Sequence, residues 1–290
     1  MSIKSKIKHG VKFILNNVQK KTIVKADVAA LAPNELLKGK TALVTGGTSG
    51  IGYAIAKIFI NSGASVIITG RKLDKVKAAC SKINEEVNNK GHILGIDMDN
   101  TQVDSFKQKF NEILRMAPDN KLDILVNNAG VLGGGNLKDT PDQFDLVYKT
   151  NLKASYYLSI LFGQYFKDNH IKGNILNVAS SSSLRPAASV YTLTKWGLRG
   201  LTLGLAKAFS PYGITVNGVA PGPTATPMLL KDTSDISHPN LPLGRYIMPE
   251  EIANIAVMLV SEMGRPIIGD IVYATGGAGT ITYDDMSYSF

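Results

Sequence analysis

The amino-acid sequence predicts an α/β fold, a doubly wound parallel sheet of about seven strands with helices on both faces. Three observations lead there. Short apolar runs recur along most of the chain, and segments with apolar residues at helical spacing separate each run from the next. Strands joined through helices pair in parallel by right-handed crossovers, so the runs belong to one sheet and not to hairpins. Breaks rich in Gly, Asn or Ser fall at the C-terminal ends of the runs, where an open parallel sheet forms its ligand crevice.

The first 37 residues stand apart. Ile3, Ile7, Val11, Ile14 and Val18 keep helical spacing, and seven lysines with no acid occupy residues 1–25, which describes a basic amphipathic helix. Its apolar run is too short to span a bilayer. Contact with an anionic membrane surface and docking on the domain or a subunit neighbour suit the two faces equally; an organelle-targeting peptide suits them less, because the segment has no arginine. Pro33, Asn34 and Glu35 mark a linker, and residues 38–290 read as one domain with a C-terminal tail.

From Lys38 the elements follow in order. Thr41 to Thr45 is a strand that stops at Gly46-Gly47-Thr48-Ser49-Gly50-Ile51-Gly52, and Ile51, Ile55, Ile58 and Phe59 then keep helical spacing. Glycines at 46, 50 and 52 let backbone amides approach a phosphate, and the helix N-terminus adds partial positive charge. The second strand, Ser65–Thr69, ends in Gly70-Arg71. An acid at that tip would select the ribose hydroxyls of NAD; Arg71, with Lys72 beside it, suits the 2′-phosphate of NADP. A helix over 72–89 leads to a strand from His92 to Ile96 and to Asp97-Met98. A helix over 101–116 leads to the strand Ile124–Asn127, which runs into Asn128-Ala129-Gly130 and the Gly133–Gly135 loop. One helix is expected over 142–167, with Asn151 in its middle, where an amide has low intrinsic propensity. The strand Asn174–Val178 runs into Ser180-Ser181-Ser182-Ser183, followed by a helix bearing Tyr191 and Lys195. The strand Ile214–Val219, the turn Pro221-Gly222-Pro223-Thr224, a polar segment over 229–240, a helix over 249–261 and the strand Asp270–Tyr273 complete the domain.

Composition narrows the function. A single cysteine, Cys80, and four scattered histidines leave no disulfide and no metal-ligand spacing, consistent with a reducing, cytoplasmic setting. Formal charge is +9, yet outside residues 1–25 the chain has 25 basic and 23 acidic residues, so no nucleic-acid-binding face is expected.

Tyr191 and Lys195 are one helical turn apart and project from one face. A phenol becomes a useful acid/base near neutral pH when an ammonium stabilises its phenolate. An isolated Tyr-x-x-x-Lys is common; its position behind a phosphate-binding turn and after a serine-rich strand end gives it meaning.

In this set and order, Thr45-Gly46-x-x-x-Gly50-x-Gly52, Asn127-Asn128-Ala129-Gly130, Thr150-Asn151-Leu152, Asn177-Val178-Ala179-Ser180, Tyr191-x-x-x-Lys195 and Pro221-Gly222 resemble the short-chain dehydrogenase/reductase family, over about residues 38–277. The resemblance implies a Rossmann-like fold and hydride transfer between a nicotinamide and a carbonyl or secondary alcohol. It implies Tyr191 as general acid/base, Ser180 as hydrogen-bond partner of the substrate oxygen, and Lys195 lowering the tyrosine pKa, with Asn151 positioning Lys195 through a water. The implied cofactor set comprises Thr45, Gly46, Thr48, Ser49, Gly50, Ile51, Gly52, Arg71, Asp97, Met98, Asn128, Ala129, Gly130, Tyr191, Lys195, Pro221, Gly222 and Thr224. NADP(H) is the expected dinucleotide, with NAD(H) as the alternative. Relatives imply a dimer or tetramer, and the tail aromatics Tyr283, Tyr288 and Phe290 suit a subunit contact. A non-catalytic dinucleotide sensor or scaffold is the rival reading.

Two departures stand out. Ser180 precedes Tyr191 by eleven residues, closer than is usual in the family, which leaves Ser182 as a second candidate; Ser181 and Ser183 read as turn residues. The segment between Thr226 and Pro242 is short for a lid, implying an open pocket or one completed by a neighbour. Leu132, Gly133–Gly135, Leu184, Met228 and Leu229 are expected to line an apolar substrate pocket. Trp196 and Cys80 read as packing residues.

Overall fold

The computed structural model describes residues 35–89, 91–135, 137–230 and 235–279. The basic segment 1–34 and the tail aromatics Tyr283, Tyr288 and Phe290 lie outside these residues.

Seven strands form one parallel sheet: β1 Thr41–Val44, β2 Ser65–Gly70, β3 Ile93–Asp97, β4 Ile124–Asn127, β5 Asn174–Val178, β6 Thr215–Pro221 and β7 Ile271–Ala274. Their order in space is β3-β2-β1-β4-β5-β6-β7. Every neighbouring pair is parallel. The chain reverses its direction of travel across the sheet between β3 and β4, so a crevice opens where the connections leaving the C-terminal ends of β1 and β4 part.

Helices cover both faces, which is why the strands are buried on both sides and largely apolar, without strict alternation. On one face α1 (Gly50–Asn61), α2 (Leu73–Glu86) and α7 (Pro249–Val260) pack on Val44, Ile68, Val126, Leu176 and Val219. On the other, α3 (Phe106–Met116), α5 (Ala154–Asp168) and α6 (Val190–Phe209) pack on Leu43, Ile67, Leu125, Ile175 and Val216. Alternate strand residues serve alternate layers, the period-two rule of a pleated sheet. Phe110, Phe162 and Phe166 fill the second layer, with ring centroids at 5.1 and 5.7 Å in edge-to-face contact.

Two boundaries differ from expectation. Leu37, expected in the linker, has no exposed surface and donates its N–H to the Ser62 carbonyl at 2.8 Å, so the domain's core already includes it. The helix expected over 142–167 is three pieces: α4 (Pro141–Tyr148), a π-helical turn Lys149–Lys153, and α5. The wide turn contains Asn151, now 1% exposed, so a residue of poor helix propensity sits where the helix accommodates an extra residue.

Candidate active site

The Gly46–Gly52 turn joins β1 to α1 and is braced from β4. Thr45 Oγ1 accepts the N–H groups of Asn128 and Ala129 at 3.0 and 3.1 Å and donates to the Val126 carbonyl. Asn128 Nδ2 donates to the carbonyls of Thr45 and Gly46 at 2.9 and 3.1 Å. Gly52 must lack a side chain, since a Cβ there would collide with Asn128 Nδ2. Thr45 and Gly52 therefore shape the turn from behind and do not line the crevice; the other expected residues of the turn, Gly46, Thr48, Ser49, Gly50 and Ile51, do.

The crevice holds about 560 Å³ and runs from the tips of β2 and β3, past the α1 N-terminus, to β5 and β6. Arg71, Met98, Asn128, Ala129, Gly130, Tyr191, Lys195, Pro221, Gly222 and Thr224 also line it, as expected. Asp97 does not. Its carboxylate pairs with Lys109 of α3 at 3.3 Å, and the acid on the crevice wall is Asp99, which accepts the N–H and hydroxyl of Thr101 at 2.9 Å. Sequence reasoning also missed Thr69, Asn100, Val131 and Arg185 on the wall. Thr69 had a readable signal, as the last apolar-run residue before Gly70; Arg185 had none beyond its charge.

A dinucleotide suits this wall on the structure's own terms. The α1 N-terminus has no acid in its first turn and no side-chain cap on its amides, leaving N–H donors for phosphate. No acid stands at the end of β2 to repel one, and Arg71 lines the wall there. Thr69 Oγ1 is buried on that wall without a hydrogen-bond partner among the described residues.

At the other end, Ser180, Tyr191 and Lys195 converge. Ser189 caps α6 by accepting the Thr192 N–H at 3.2 Å, which sets Tyr191 in the first turn. Lys195 is 5% exposed; its Nζ donates to the Val178 carbonyl at 2.8 Å and lies 5.5 Å from the centre of the Tyr191 ring. Burial lowers the lysine to about 8. Burial also raises the Tyr191 phenol, and the Ser180 hydroxyl, near enough to hydrogen-bond it, opposes that rise. The phenol's ionisation is thus set first by desolvation.

Among the four serines, Ser180 is the one beside the phenol, and its Oγ accepts the Ser182 N–H at 3.1 Å. Ser182 lines the crevice, while Ser183 turns away to the Ser180 carbonyl at 2.8 Å and the Tyr273 hydroxyl at 3.1 Å. Ser181, expected as a turn residue, is in the 3₁₀ turn Ser181–Leu184 and also reaches the wall. Asn151 does not line the crevice but stands directly behind Gly130 and Val131, which do. Its Oδ1 accepts the Val131 N–H at 2.8 Å, and its Nδ2 donates to the Val131 carbonyl at 3.0 Å and to Thr194 Oγ1 at 3.4 Å. It ties the loop after β4 to the residue preceding Lys195.

Beneath these groups a buried amide ladder joins strands to helices. Asn127 Nδ2 donates to Ser159 Oγ and Asn177 Oδ1, both at 2.9 Å, and Asn177 Nδ2 donates to Thr202 Oγ1 at 2.9 Å. Of the expected substrate-pocket residues, Leu132, Met228 and Leu229 reach the crevice; Gly133–Gly135 and Leu184 do not. Among the described residues no helix is long and apolar enough to cross a membrane, and no group of acids, histidines or cysteine could hold a metal ion.

The chain resembles proteins of known activity over most of its length. Residues 40–237 match the model of the short chain dehydrogenase family. A 3-oxoacyl-acyl-carrier-protein reductase of Aquifex aeolicus is 35% identical over 250 residues, which cover 83% of this chain and 98% of the relative. A 3alpha-hydroxysteroid dehydrogenase of Mediterraneibacter gnavus is 33% identical over 255 residues, covering 84% and 98%. Among solved structures, a short chain dehydrogenase of Burkholderia cenocepacia in complex with NADP superimposes with a TM-score of 0.72 at 33% identity, covering 84% of this chain and 99% of that one. From this agreement of sequence, fold and crevice we conclude that the chain belongs to the short-chain dehydrogenase family, oxidoreductases that transfer a hydride between a nicotinamide dinucleotide and a small-molecule substrate.

Proposed function

We propose that this chain is an NADP(H)-preferring carbonyl reductase or secondary-alcohol dehydrogenase in which Tyr191 is the general acid/base. The observation that carries the reading is the convergence of Tyr191, Ser180 and buried Lys195 at one end of a crevice whose other end suits phosphate. A bound nicotinamide supplies the hydride in reduction and accepts it in oxidation. A substrate carbonyl seated between Ser180 and Tyr191 receives a hydrogen bond from the serine hydroxyl. As negative charge develops on its oxygen, the phenol gives up its proton, a contribution of about a hundred- to ten-thousand-fold in rate. Lys195, at about 8, is an ammonium at neutral pH, and its charge beside the ring stabilises the phenolate left behind. Asn151 acts at one remove, by holding Val131 and Thr194 in place.

Arg71 on the wall at the end of β2, a strand whose own tip carries no acid, supports NADP(H) over NAD(H). The Burkholderia cenocepacia short chain dehydrogenase solved in complex with NADP supports the same choice. The test is oxidation of NADPH by a panel of ketones, with one NADPH consumed per carbonyl reduced. Absence of turnover with either dinucleotide across acyl, steroid and small-ketone substrates would overturn the reading.

The apolar residues left exposed on α4, α5 and α6 support a homo-oligomer. Tyr148, Tyr156, Tyr157, Ile160, Leu193 and Leu203 are between 39% and 54% exposed. On α6, Gly200 and Gly204 have open space where a Cβ would stand, giving a smooth face for a second copy. Sedimentation equilibrium distinguishes a dimer or tetramer from a monomer, and a monomer at micromolar concentration would contradict it. The seven lysines of residues 1–25 support peripheral contact with an anionic membrane. Co-sedimentation with phosphatidylserine vesicles, lost on deleting those residues, tests this.

A further inference from the structure

Arg185 is the one cationic side chain on the described crevice wall that the hydride-transfer reading leaves unused. The charged residues lining the crevice are Arg71, Asp99, Arg185 and Lys195. Arg71 stands with the β2 tip, Asp99 is engaged by Thr101, and Lys195 is engaged by the Val178 carbonyl beneath Tyr191. Arg185 stands at the substrate end, directly after the Ser181–Leu184 turn that carries Ser180 at its start.

Its backbone is fixed on both sides. The Arg185 N–H donates to the Ser182 carbonyl at 3.1 Å, and its carbonyl accepts Trp196 Nε1 at 2.8 Å. Trp196, expected to be a packing residue, is instead 42% exposed and commits its polar group to this one bond. The guanidinium lies against Gly279, where an added Cβ would stand 2.9 Å from Nη2 and 3.1 Å from Nε. The side chain is exposed at the crevice, and among the described residues no carboxylate pairs with it. The nearby loop acid, Asp139, is occupied by backbone N–H groups: Gly134 at 2.7 Å, Gly135 at 3.4 Å and Val190 at 3.0 Å.

We propose that Arg185 determines substrate specificity by taking the carboxylate of an oxo acid, or of the corresponding hydroxy acid, whose reacting oxygen sits on Ser180 and Tyr191. This rests on the reading above, in which those two side chains hold the substrate oxygen. A guanidinium presents a planar fork of donors that a carboxylate fills with two parallel hydrogen bonds. A monoanion is the matched partner, because among the described residues Arg185 is the one cation at this end of the wall that no carboxylate or carbonyl engages through its side chain. Leu132, Met228 and Leu229 line the same crevice and suit an aliphatic chain.

The test pairs 2-oxo-, 3-oxo- and 4-oxohexanoate with their methyl esters, which keep chain and carbonyl and remove the charge. Wild type is expected to reduce at least one acid with kcat/KM above its ester. Arg185→Met should lower kcat/KM for that acid by about 10- to 100-fold, mostly through KM, and leave the ester unchanged. Arg185→Lys should restore part of the loss. Equal effects on acid and ester, or none on either, would overturn the assignment; so would a wild type that prefers every ester. Calorimetric binding of hexanoate provides a readout that needs no turnover. Hexanoate bound by wild type and lost in Arg185→Met supports the site even if no carbonyl is reduced, an outcome that would overturn the reductase reading instead. No hexanoate binding together with no acid preference overturns the role of Arg185 alone.

Discussion

Replacing Lys195 with methionine should change how stability depends on pH, and the structure gives the size of the effect. The side chain is 5% exposed and burial brings it from the ordinary 10.5 to about 8. A shift of that size corresponds to about 3 kcal/mol between the two protonation states. The folded pKa is the lower one, so between about 8 and 10.5 the unfolded chain binds more protons than the folded chain. Stability contributed by this group therefore rises with pH across that window, as the penalty of burying a charge is relieved. The methionine variant carries no titrating group at this position. The difference in unfolding free energy, wild type minus Lys195→Met, should grow by about 2–3 kcal/mol from about pH 7 to about pH 10. Using the difference cancels the other titrating groups, and loss of the bond to the Val178 carbonyl shifts the height of the curve but not its slope. Urea titrations of both proteins at several pH values measure it. A difference that stays flat, or falls with pH, would refute the claim that Lys195 is buried at a cost the active site requires.

Three further outcomes follow from the same geometry. Reduction at saturating dinucleotide should lose kcat/KM as pH rises through about 8, where Lys195 gives up its charge; a rate that climbs through that pH would contradict the role of the ammonium. Arg71→Ala should weaken NADPH binding about tenfold or more while leaving NADH unchanged, read by fluorescence titration, and equal effects on both would make Arg71 a surface residue. Gly52→Ala drives a Cβ into Asn128 Nδ2 and the Gly46 carbonyl, so it should destabilise the protein by about 1–3 kcal/mol and weaken dinucleotide binding; a thermal midpoint equal to wild type would count against the bracing role of Asn128.

What could be read in the sequence was whatever follows from local pattern. β4 and β5 run over the residues expected, because each is a short, largely apolar run that begins just after a polar or glycine residue. The glycine-rich turn between β1 and α1 was legible because glycine spacing reports backbone requirements directly. The π turn at Lys149–Lys153 was not, since insertion of one residue into a helix leaves the composition unchanged; only the poor fit of Asn151 to a helix interior hinted at it. Asp97 and Asp99 differ by one pleat period at the end of a strand, and which carboxylate faces the crevice depends on where Lys109 of α3 draws the other. Arg185 looked like any loop arginine until Trp196 and Gly279 showed what holds it. The juxtaposition of Tyr191 and Lys195 was legible from their spacing, but the dominance of burial over the phenol depends on α6 being packed against β5 and the serine turn.

The central claim is that Tyr191 moves the proton. Tyr191→Phe keeps the ring and its packing and removes the hydroxyl alone. Measured side by side, NADPH affinity should match wild type while kcat for ketone reduction falls by about a thousandfold or more. A variant that binds NADPH normally and turns over within about tenfold of wild type would contradict the account.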